Sequence, residues 1–292
     1  MFDGVNEYIK EIMAKWKDEA AKSPKSIPLW EKGDTPEYIP GTPEPSVIPF
    51  LLPGEEKRGA VIICCGGAYI WKEPAEAFPR AEWINSIGLH AFILDYRVEP
   101  YKINHVLQDA QRAVRTLRYM SDELNIKKDK IALMGFSAGG HLTAMASTHF
   151  DMGNPESSDP VERESCRPDA QILCYPHITY TPYIKEDPEI IIRMFGEDYS
   201  IETVNKFNVY LHVRENTPPA FLWGMQGDWQ YKQKHFKLYA EALYEKEIPY
   251  SYHIFPDGQH GDEKSTAPVW KQWTMLCELW LKDLYFGTGE KA

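Results

Sequence analysis

The feature that most constrains the fold is a short apolar run that ends in a glycine-flanked serine. Residues 131–136 are apolar or small, Ser137 follows them, and Gly135 and Gly139 lie two positions to either side of the serine. This pattern is typical of a strand, a sharp turn and a helix, with the serine at strained backbone angles in the turn. Glycines are needed because a side chain beside the turn would collide with it. The turn lifts the hydroxyl clear of the sheet, and the N–H of Ala138 points to where an oxyanion would form.

Apolar runs and helical stripes alternate along the rest of the chain. Continuous apolar runs predict buried strands at 59–65, 89–94, 131–136, 170–175, 220–225 and 250–255, and a short edge strand is expected around 46–52. Apolar residues at spacings of three and four predict helices at 76–87, 106–124, 236–244 and 270–284. Strands that alternate with amphipathic helices form βαβ units. We therefore expect the α/β class, with a mainly parallel, doubly wound sheet flanked by helices.

The 292 residues are expected to form a single domain, 1–292. Residues 1–22 predict an N-terminal amphipathic helix, for which three placements are open: packing on the flank of the domain, which we favour, a cover over the active site, or an oligomer contact. Residues 177–217 interrupt the alternation and are too long for an ordinary connection. They predict a small cap inserted over the carboxyl edge of the sheet, with short helices near 188–195 and 200–207.

Composition and charge argue against several classes of protein. The formal net charge of −11 and the absence of a Lys/Arg cluster disfavour nucleic-acid binding. No apolar run approaches the ~18 residues of a membrane span, and residues 1–22 lack the apolar core of a signal peptide. The five cysteines are odd in number and form no C-x-x-C pair, so reduced thiols are expected. We expect a cytoplasmic protein without nucleic-acid or membrane partners.

A serine hydroxyl needs a base to become nucleophilic, and the base needs an acid to orient it. After a turn of this kind, the order along the chain is serine, acid, histidine. Of the nine histidines, His260 is the expected base, because it lies in a flexible loop just past the strand at 250–255 and before the last helix. His253, within that strand, and His141, in the helix after Ser137, are more typical of packed histidines.

Asp228 is the expected acid. It lies three residues beyond a predicted strand, and the carboxyl end of a parallel sheet is where such sites form. A turn aspartate is the alternative, since Gly-Asp often occurs in turns, but the order Ser137, Asp228, His260 favours the catalytic interpretation. Asp257 and Asp262 lie too close to His260 in the sequence to reach its ring with good geometry.

Small residues also follow the strand at 59–65. Residues 66–69 are Gly-Gly-Ala-Tyr, and small side chains allow backbone N–H groups to turn toward a tetrahedral intermediate. Removing one such donor typically costs ~2.7–4 kcal/mol in acyl transfer. Together with the glycine-flanked serine, this segment predicts an oxyanion hole formed by the N–H groups of Gly67, Ala68 and Ala138.

These motifs resemble the α/β-hydrolase fold family, and within it the bacterial acetyl esterase and acetylxylan esterase-like group, close to the hormone-sensitive-lipase type. The resemblance covers most of the chain, from the segment that begins at Ile27 to the closing helix. The segments that carry it are 65–69, 95–97, 109–114, 135–142, 255–256, Gly258 and 260–261.

Two departures from the family pattern bear on specificity. Where relatives commonly have a third glycine, this chain has Ala68, which keeps its N–H donor and is expected to narrow the acyl pocket. Relatives usually have a Val-Pro pair shortly after the acid, whereas residues 229–232 of this chain are Trp-Gln-Tyr-Lys. Tyr69, Trp229 and Tyr231 are candidate substrate-binding residues, because aromatic rings often line sugar sites; packing or surface roles for Trp229 and Tyr231 stay open.

The residues predict a serine carboxylesterase that works through Ser137, His260 and Asp228 and an acyl-enzyme, without a metal or organic cofactor. The resemblance implies a short-chain acyl ester as substrate, above all an acetyl group on a small carbohydrate such as a xylo-oligosaccharide. An esterase of other small acyl esters and a peptidase on the same scaffold are the enzymatic alternatives. A non-catalytic ligand-binding protein of the same fold is a third, and homo-oligomerisation is left open.

Overall fold

A mainly parallel sheet runs through the protein. The computed structural model describes residues 2–228, 234–256, 258–261, 268–284 and 286–287. The strands are β1 (Ile27–Pro28), β2 (Ser46–Phe50), β3 (Arg58–Cys64), β4 (His90–Asp95), β5 (Ile126–Phe136), β6 (Ala170–Cys174), β7 (Ala220–Met225) and β8 (Tyr250–Phe255). Their order across the sheet is β1-β2-β4-β3-β5-β6-β7-β8. β2 pairs antiparallel with β1 and β4, and the pairs from β4 to β8 are parallel, which confirms the predicted class.

Helices alternate with the strands. They are α1 (Phe2–Lys22), α2 (Phe78–Ser86), α3 (Ile103–Tyr119), α4 (Ala138–Thr148), α5 (Tyr183–Glu186), α6 (Pro188–Phe195), α7 (Ile201–Asn205), α8 (Lys234–Glu245) and α9 (Pro268–Asp283), with 3₁₀ turns at Pro74–Glu76, Pro160–Arg163 and Val209–His212. Helix α3 ends at Tyr119, before the end of the helix predicted at 106–124. The apolar pattern continues beyond it because Leu124, in the turn that follows, is buried in the same core. None of the described helices combines the length and apolar composition that a membrane span requires.

The central strands are buried on both faces. Every residue of β6 and of β7 is buried, which is the pattern of parallel strands covered by helices on each side. On one side α2 meets α9, where the ring centroids of Trp83 and Trp273 are 5.2 Å apart. All five cysteines are buried and free.

The N-terminal helix α1 packs beside α2. Trp16 is buried, and its ring lies 5.4 Å from that of Phe78 at the start of α2. One face of α1 also reaches the loop after β3, where Tyr8 meets Trp71 edge to face at 6.3 Å. The helix therefore lies on the flank of the sheet, next to the segment that follows the predicted oxyanion residues.

The topology brings four loops to one edge of the sheet. β3, β5, β7 and β8 are all parallel, so the loops that follow them leave at the same, carboxyl edge. These four loops carry residues 66–69, Ser137, Asp228 and His260 respectively. Because ligand sites of open α/β sheets form at this edge, the fold gathers the sequence-predicted residues in one place.

Candidate active site

Ser137 lies in the turn between β5 and α4 with strained backbone angles. Its φ of 52° and ψ of −117° fall outside the regions that a non-glycine residue favours. A Cβ at Gly139 would lie 2.0 Å from the carbonyl oxygen of Cys64, and one at Gly135 would lie 2.0 Å from the carbonyl oxygen of Gly139. Helix α4 therefore sits so close to β3 and β5 that only glycine fits at these two positions, as the sequence pattern predicted.

Ser137, His260 and Asp228 form a continuous hydrogen-bonded series. The Oγ of Ser137 is 2.8 Å from Nε2 of His260, and Nδ1 of His260 is 2.8 Å from Oδ2 of Asp228. The carboxylate accepts, so Nδ1 carries the proton and Nε2 is free to accept the serine proton. The Asp228 side chain is fully buried and that of His260 is nearly so. This arrangement allows His260 to take the proton from the serine oxygen as that oxygen attacks.

The loops of the acid and the histidine support one another. The N–H of Gln226 donates to the carbonyl oxygen of Phe255 at 2.8 Å, which joins the ends of β7 and β8. A Cβ at Gly227 would lie 2.8 Å from the carbonyl oxygen of Gly258, so the two loops touch through glycines. This contact fixes the distance between Asp228 and His260.

The loop after β3 passes close to Ser137, since a Cβ at Gly66 would lie 3.0 Å from the Cβ of the serine. Gly67, Ala68 and Tyr69 all have positive φ (123°, 52° and 61°), which turns the chain sharply. Among the described residues, the N–H groups of Gly67, Ala68 and Ala138 have no hydrogen-bond partner. Such N–H groups beside a nucleophile can stabilise a developing oxyanion. Ala68 holds a left-handed conformation that ordinarily favours glycine.

A buried carboxylate, Glu76, supports both this segment and the histidine. It accepts a hydrogen bond from the N–H of Gly66 and another, at 2.9 Å, from the hydroxyl of Tyr175. The ring of Tyr175 lies edge-on to that of His260 at 5.0 Å. Burial and then the charge of Glu76 raise the pKa of the nearby Cys65 thiol well above its usual value. Glu76 therefore contacts the loop after β3 directly and His260 only through the ring of Tyr175.

His141 connects the oxyanion segment to the insertion at 177–217. The hydroxyl of Tyr69 is 2.8 Å from Nδ1 of His141, whose Nε2 is 2.7 Å from the carbonyl oxygen of Phe207. A carbonyl oxygen only accepts, so Nε2 carries the proton and Tyr69 donates to Nδ1. Burial lowers the pKa of His141 to about 4, which keeps this ring neutral. The chain of bonds joins three segments that are far apart in the sequence.

A cavity opens beside the serine. Its volume is about 280 Å³, and it is lined by Ala68, Tyr69 and Ala138 on one side and by residues of the segment 177–194 on the other. The insertion therefore forms one wall of the space into which the candidate oxyanion residues face. Within it, the buried Asn208 accepts from the N–H of Tyr180 at 2.7 Å and so ties the end of the insertion to its beginning.

Comparison with known proteins gives the family. The family described as BD-FAE matches residues 50–231, which is more than half of the chain. The chain belongs to the BD-FAE family. The matched range includes the oxyanion segment, Ser137 and Asp228, and this BD-FAE member has the α/β-hydrolase fold.

Three proteins of known activity are similar to this BD-FAE member in sequence or structure. It is 32% identical over 238 residues to endo-1,4-beta-xylanase B of Butyrivibrio fibrisolvens (79% of this chain, 36% of the relative) and 26% identical over 215 residues to an acetylxylan esterase of Xylanibacter ruminicola (72% and 42%). The matched part of the chain thus spans less than half of each of these two proteins. Among solved structures, an acetyl ester-xyloside bifunctional hydrolase from Caldicellulosiruptor lactoaceticus is 40% identical, with a TM-score of 0.86, over 91% of this chain and 98% of that one.

The structure places most of the sequence-predicted residues at one site. Ser137, His260 and Asp228 are hydrogen-bonded in series, Ala68, Tyr69 and Ala138 line the cavity, and Gly67 lies in the loop that follows β3. The alternative bases lie elsewhere: His141 is buried in α4, and the ring of His253 in β8 packs on Phe221 at 5.0 Å. Trp229, Tyr231, Asp257 and Asp262 lie outside the described residues.

Sequence reasoning missed the supporting residues Glu76 and Tyr175 and the cavity-lining side chains of α5 and α6. Glu76 lies in a 3₁₀ turn, where no periodic pattern distinguishes a buried carboxylate from an exposed one. The nearest available signal was the length of the insertion, which predicted a cap without indicating which of its side chains face the serine.

Proposed function

We propose that this BD-FAE member is a serine carboxylesterase that removes acetyl groups from small carbohydrates such as xylo-oligosaccharides. The observation that carries the proposal is the series from Ser137 Oγ through His260 to Asp228, with 2.8 Å at each step, beside three N–H groups that have no partner among the described residues. The similarity to an acetylxylan esterase and to an acetyl ester-xyloside bifunctional hydrolase supports the choice of ester.

The first half of the reaction makes an acyl-enzyme. Ser137 Oγ attacks the ester carbonyl carbon while Nε2 of His260 takes the serine proton, and Asp228 stabilises the resulting imidazolium through Nδ1. The negative charge that develops on the carbonyl oxygen is held by the N–H groups of Gly67, Ala68 and Ala138. When the C–O bond to the sugar breaks, His260 gives its proton to the departing alcohol oxygen.

The second half releases the acid. Water enters, His260 takes one of its protons, and the hydroxide attacks the carbonyl carbon of acetyl-Ser137 through a second tetrahedral intermediate in the same N–H site. Collapse of that intermediate frees acetate, and the proton on His260 returns to Ser137. These steps use only groups of the chain and water.

We propose further that the chain acts as one domain in which residues 177–217 form a cap over the site. Their wall of the 280 Å³ cavity supports this role. Five free cysteines favour a reducing compartment. A cytoplasmic enzyme would meet imported oligosaccharides rather than intact polymer, which agrees with a cavity of this size.

The variant Ser137→Ala tests the proposal. It should lower kcat for p-nitrophenyl acetate and for acetylated xylo-oligosaccharides by a factor of about 10⁴ or more, since the nucleophile is gone. Ser147→Ala is the matched control, because Ser147 is buried in α4, the helix that follows Ser137, and its hydroxyl has no hydrogen-bond partner among the described residues. Full activity of Ser137→Ala would refute the proposed mechanism.

Substrate profiling separates the alternatives. A preference for long acyl chains would point to an esterase of other esters, and cleavage of amide substrates at comparable rates would point to a peptidase. A fluorophosphonate probe should attach covalently to Ser137 in the wild type and not in Ser137→Ala. Failure of the wild type to react would favour a non-catalytic binding protein.

A further inference from the structure

The cavity beside Ser137 is larger than an acetyl group needs. Its volume is about 280 Å³. An acetyl group has three heavy atoms, and at ~30 Å³ for a group the size of a water molecule it fills about 90 Å³. Because Ala68 and Ala138 both line this cavity, the remaining space is continuous with the position of the reacting carbonyl. It is therefore available to the alcohol part of the ester.

Two oppositely charged side chains of the insertion line this space. Asp187 and Arg193 are both half-buried in its wall. In the part of the chain that the structure describes, neither the carboxylate nor the guanidinium has a hydrogen-bond or ion-pair partner. Partly buried charges ordinarily find partners, because leaving them unpaired is unfavourable. Their placement at a cavity wall is what a polar ligand would require.

Asp187 also lacks the hydrogen bond that its position at the start of α6 would ordinarily give it. Asp187 is the N-cap residue of α6, where an aspartate usually accepts a hydrogen bond from an N–H of the first turn. Its side chain makes no such bond. The carboxylate lines the cavity and does not cap its own helix, so local helix chemistry does not account for it.

Tyrosines complete the wall. Tyr180 and Tyr183 both line the cavity. Burial, then Glu186, Asp187 and Asp228, raise the pKa of Tyr183 to about 12, so its hydroxyl stays protonated. The influence of both Asp187 and Asp228 on one ring also places this wall within electrostatic reach of the candidate catalytic acid.

The helix that carries the charged pair is anchored. Nζ of Lys102 donates to the carbonyl oxygens of Arg193, at 2.9 Å, and Ile192, at 3.4 Å, at the end of α6. At the other end, Pro188 fixes the first turn of the helix. Asp187 and Arg193 are thus held on a positioned element, which lowers the entropy cost of binding a ligand.

We propose that Asp187 and Arg193 bind the hydroxyl groups of the sugar that carries the ester, and so select a polyhydroxylated alcohol over a simple one. A carboxylate accepts from sugar hydroxyls, a guanidinium donates to them, and aromatic side chains cover the apolar face of the ring. The two side chains are specificity-determining residues that do not touch the reacting atoms. This assignment rests on the proposed esterase function and concerns the leaving group alone.

The test compares two substrates in the full-length protein. Asp187→Asn and Arg193→Gln should each lower kcat/KM for monoacetylated xylobiose by about 10- to 100-fold, mainly through KM, since each removes a charged hydrogen bond to the sugar. The loss for p-nitrophenyl acetate should be at least tenfold smaller, because its leaving group has no sugar hydroxyl for these side chains to bind. Glu189→Gln, which removes an exposed charge from the same helix without lining the cavity, should leave both substrates unchanged.

An inhibition measurement checks the same point without turnover of the sugar ester. Xylobiose should compete with p-nitrophenyl acetate in the wild type, and its inhibition constant should rise about tenfold or more in Arg193→Gln, with partial recovery in Arg193→Lys. Equal losses on both substrates, or no change on either, would overturn the assignment to the sugar. The esterase function fails separately, if Ser137→Ala keeps its activity.

Discussion

His141 makes the stability of this protein sensitive to acid. Its ring is completely buried, accepts from the hydroxyl of Tyr69 at Nδ1, and donates from Nε2 to the carbonyl oxygen of Phe207. Protonation would put a proton on Nδ1, where it opposes the Tyr69 hydroxyl, and a charge in an environment without water. Burial accordingly lowers the pKa of His141 from 6.5 to about 4.

The sign and size of the effect follow from proton binding. The unfolded chain binds a proton near pH 6.5 and the folded chain only near 4, so unfolding takes up a proton between these values. The stabilisation from His141 is fully present above pH 6.5 and is lost as the pH falls toward 4. The lowering of the pKa to about 4 corresponds to about 3 kcal/mol of stability, of which about 2 kcal/mol would be lost between pH 7 and pH 5.

The measurement is equilibrium urea unfolding at pH 7 and pH 5. His141→Gln cannot titrate there, so its free energy of unfolding should fall by about 2 kcal/mol less over this interval than that of the wild type. Tyr69→Phe is the control, because it removes the hydrogen bond and keeps the buried ring. It should retain most of the pH dependence, since burial is the main cause of the lowered pKa. The same loss in the wild type and His141→Gln would refute the reasoning.

Three further variants probe the framework of the site. Gly139→Ala places a Cβ 2.0 Å from the carbonyl oxygen of Cys64, so we expect loss of activity and a free energy of unfolding lower by about 3 kcal/mol. Asn208→Ala leaves the buried N–H of Tyr180 without its acceptor, and should cost about 1–3 kcal/mol in urea unfolding and raise KM for the sugar ester. Glu76→Gln replaces one acceptor by a donor, and should lower kcat about 10- to 100-fold in the p-nitrophenyl acetate assay.

Each expectation has its own contrary result. An active, fully stable Gly139→Ala would mean that α4 can move away from β3 at no cost. If Asn208→Ala leaves KM for the sugar ester unchanged, the bond between Asn208 and Tyr180 is not needed for substrate binding. If Glu76→Gln keeps the wild-type kcat, its bonds do not position the oxyanion segment.

The turn around Ser137 could be predicted because its constraint is local. Gly135 and Gly139 are required by contacts that always accompany a strand, a sharp turn and a helix in this order. The strands were equally predictable, since parallel strands covered on both faces give continuous apolar runs. His260 and Asp228 followed from these two facts, because loops after parallel strands leave the sheet at one edge.

The partners of buried polar groups could not be predicted in this way. Glu76 and Tyr175 are 99 positions apart in the chain, and Phe207 is 66 positions from His141. No periodicity connects such pairs, because each hydrogen bond depends on how separate elements pack. The amphipathic pattern of α1 likewise predicted a helix but left its placement open, and only the packing of Trp16 on Phe78 decided it.

By itself, the sequence determined the α/β fold and singled out Ser137, His260 and Asp228, which the structure joins by hydrogen bonds. It did so because backbone sterics require glycines beside the turn, and because burial on both faces requires continuous apolar runs in the strands. The tertiary structure alone decided that Glu76 and His141 connect the site to its surroundings, and that Asp187 and Arg193 face the cavity. The physical reason is that side-chain partnership depends on distances in space, which are set only once separate elements have packed against one another.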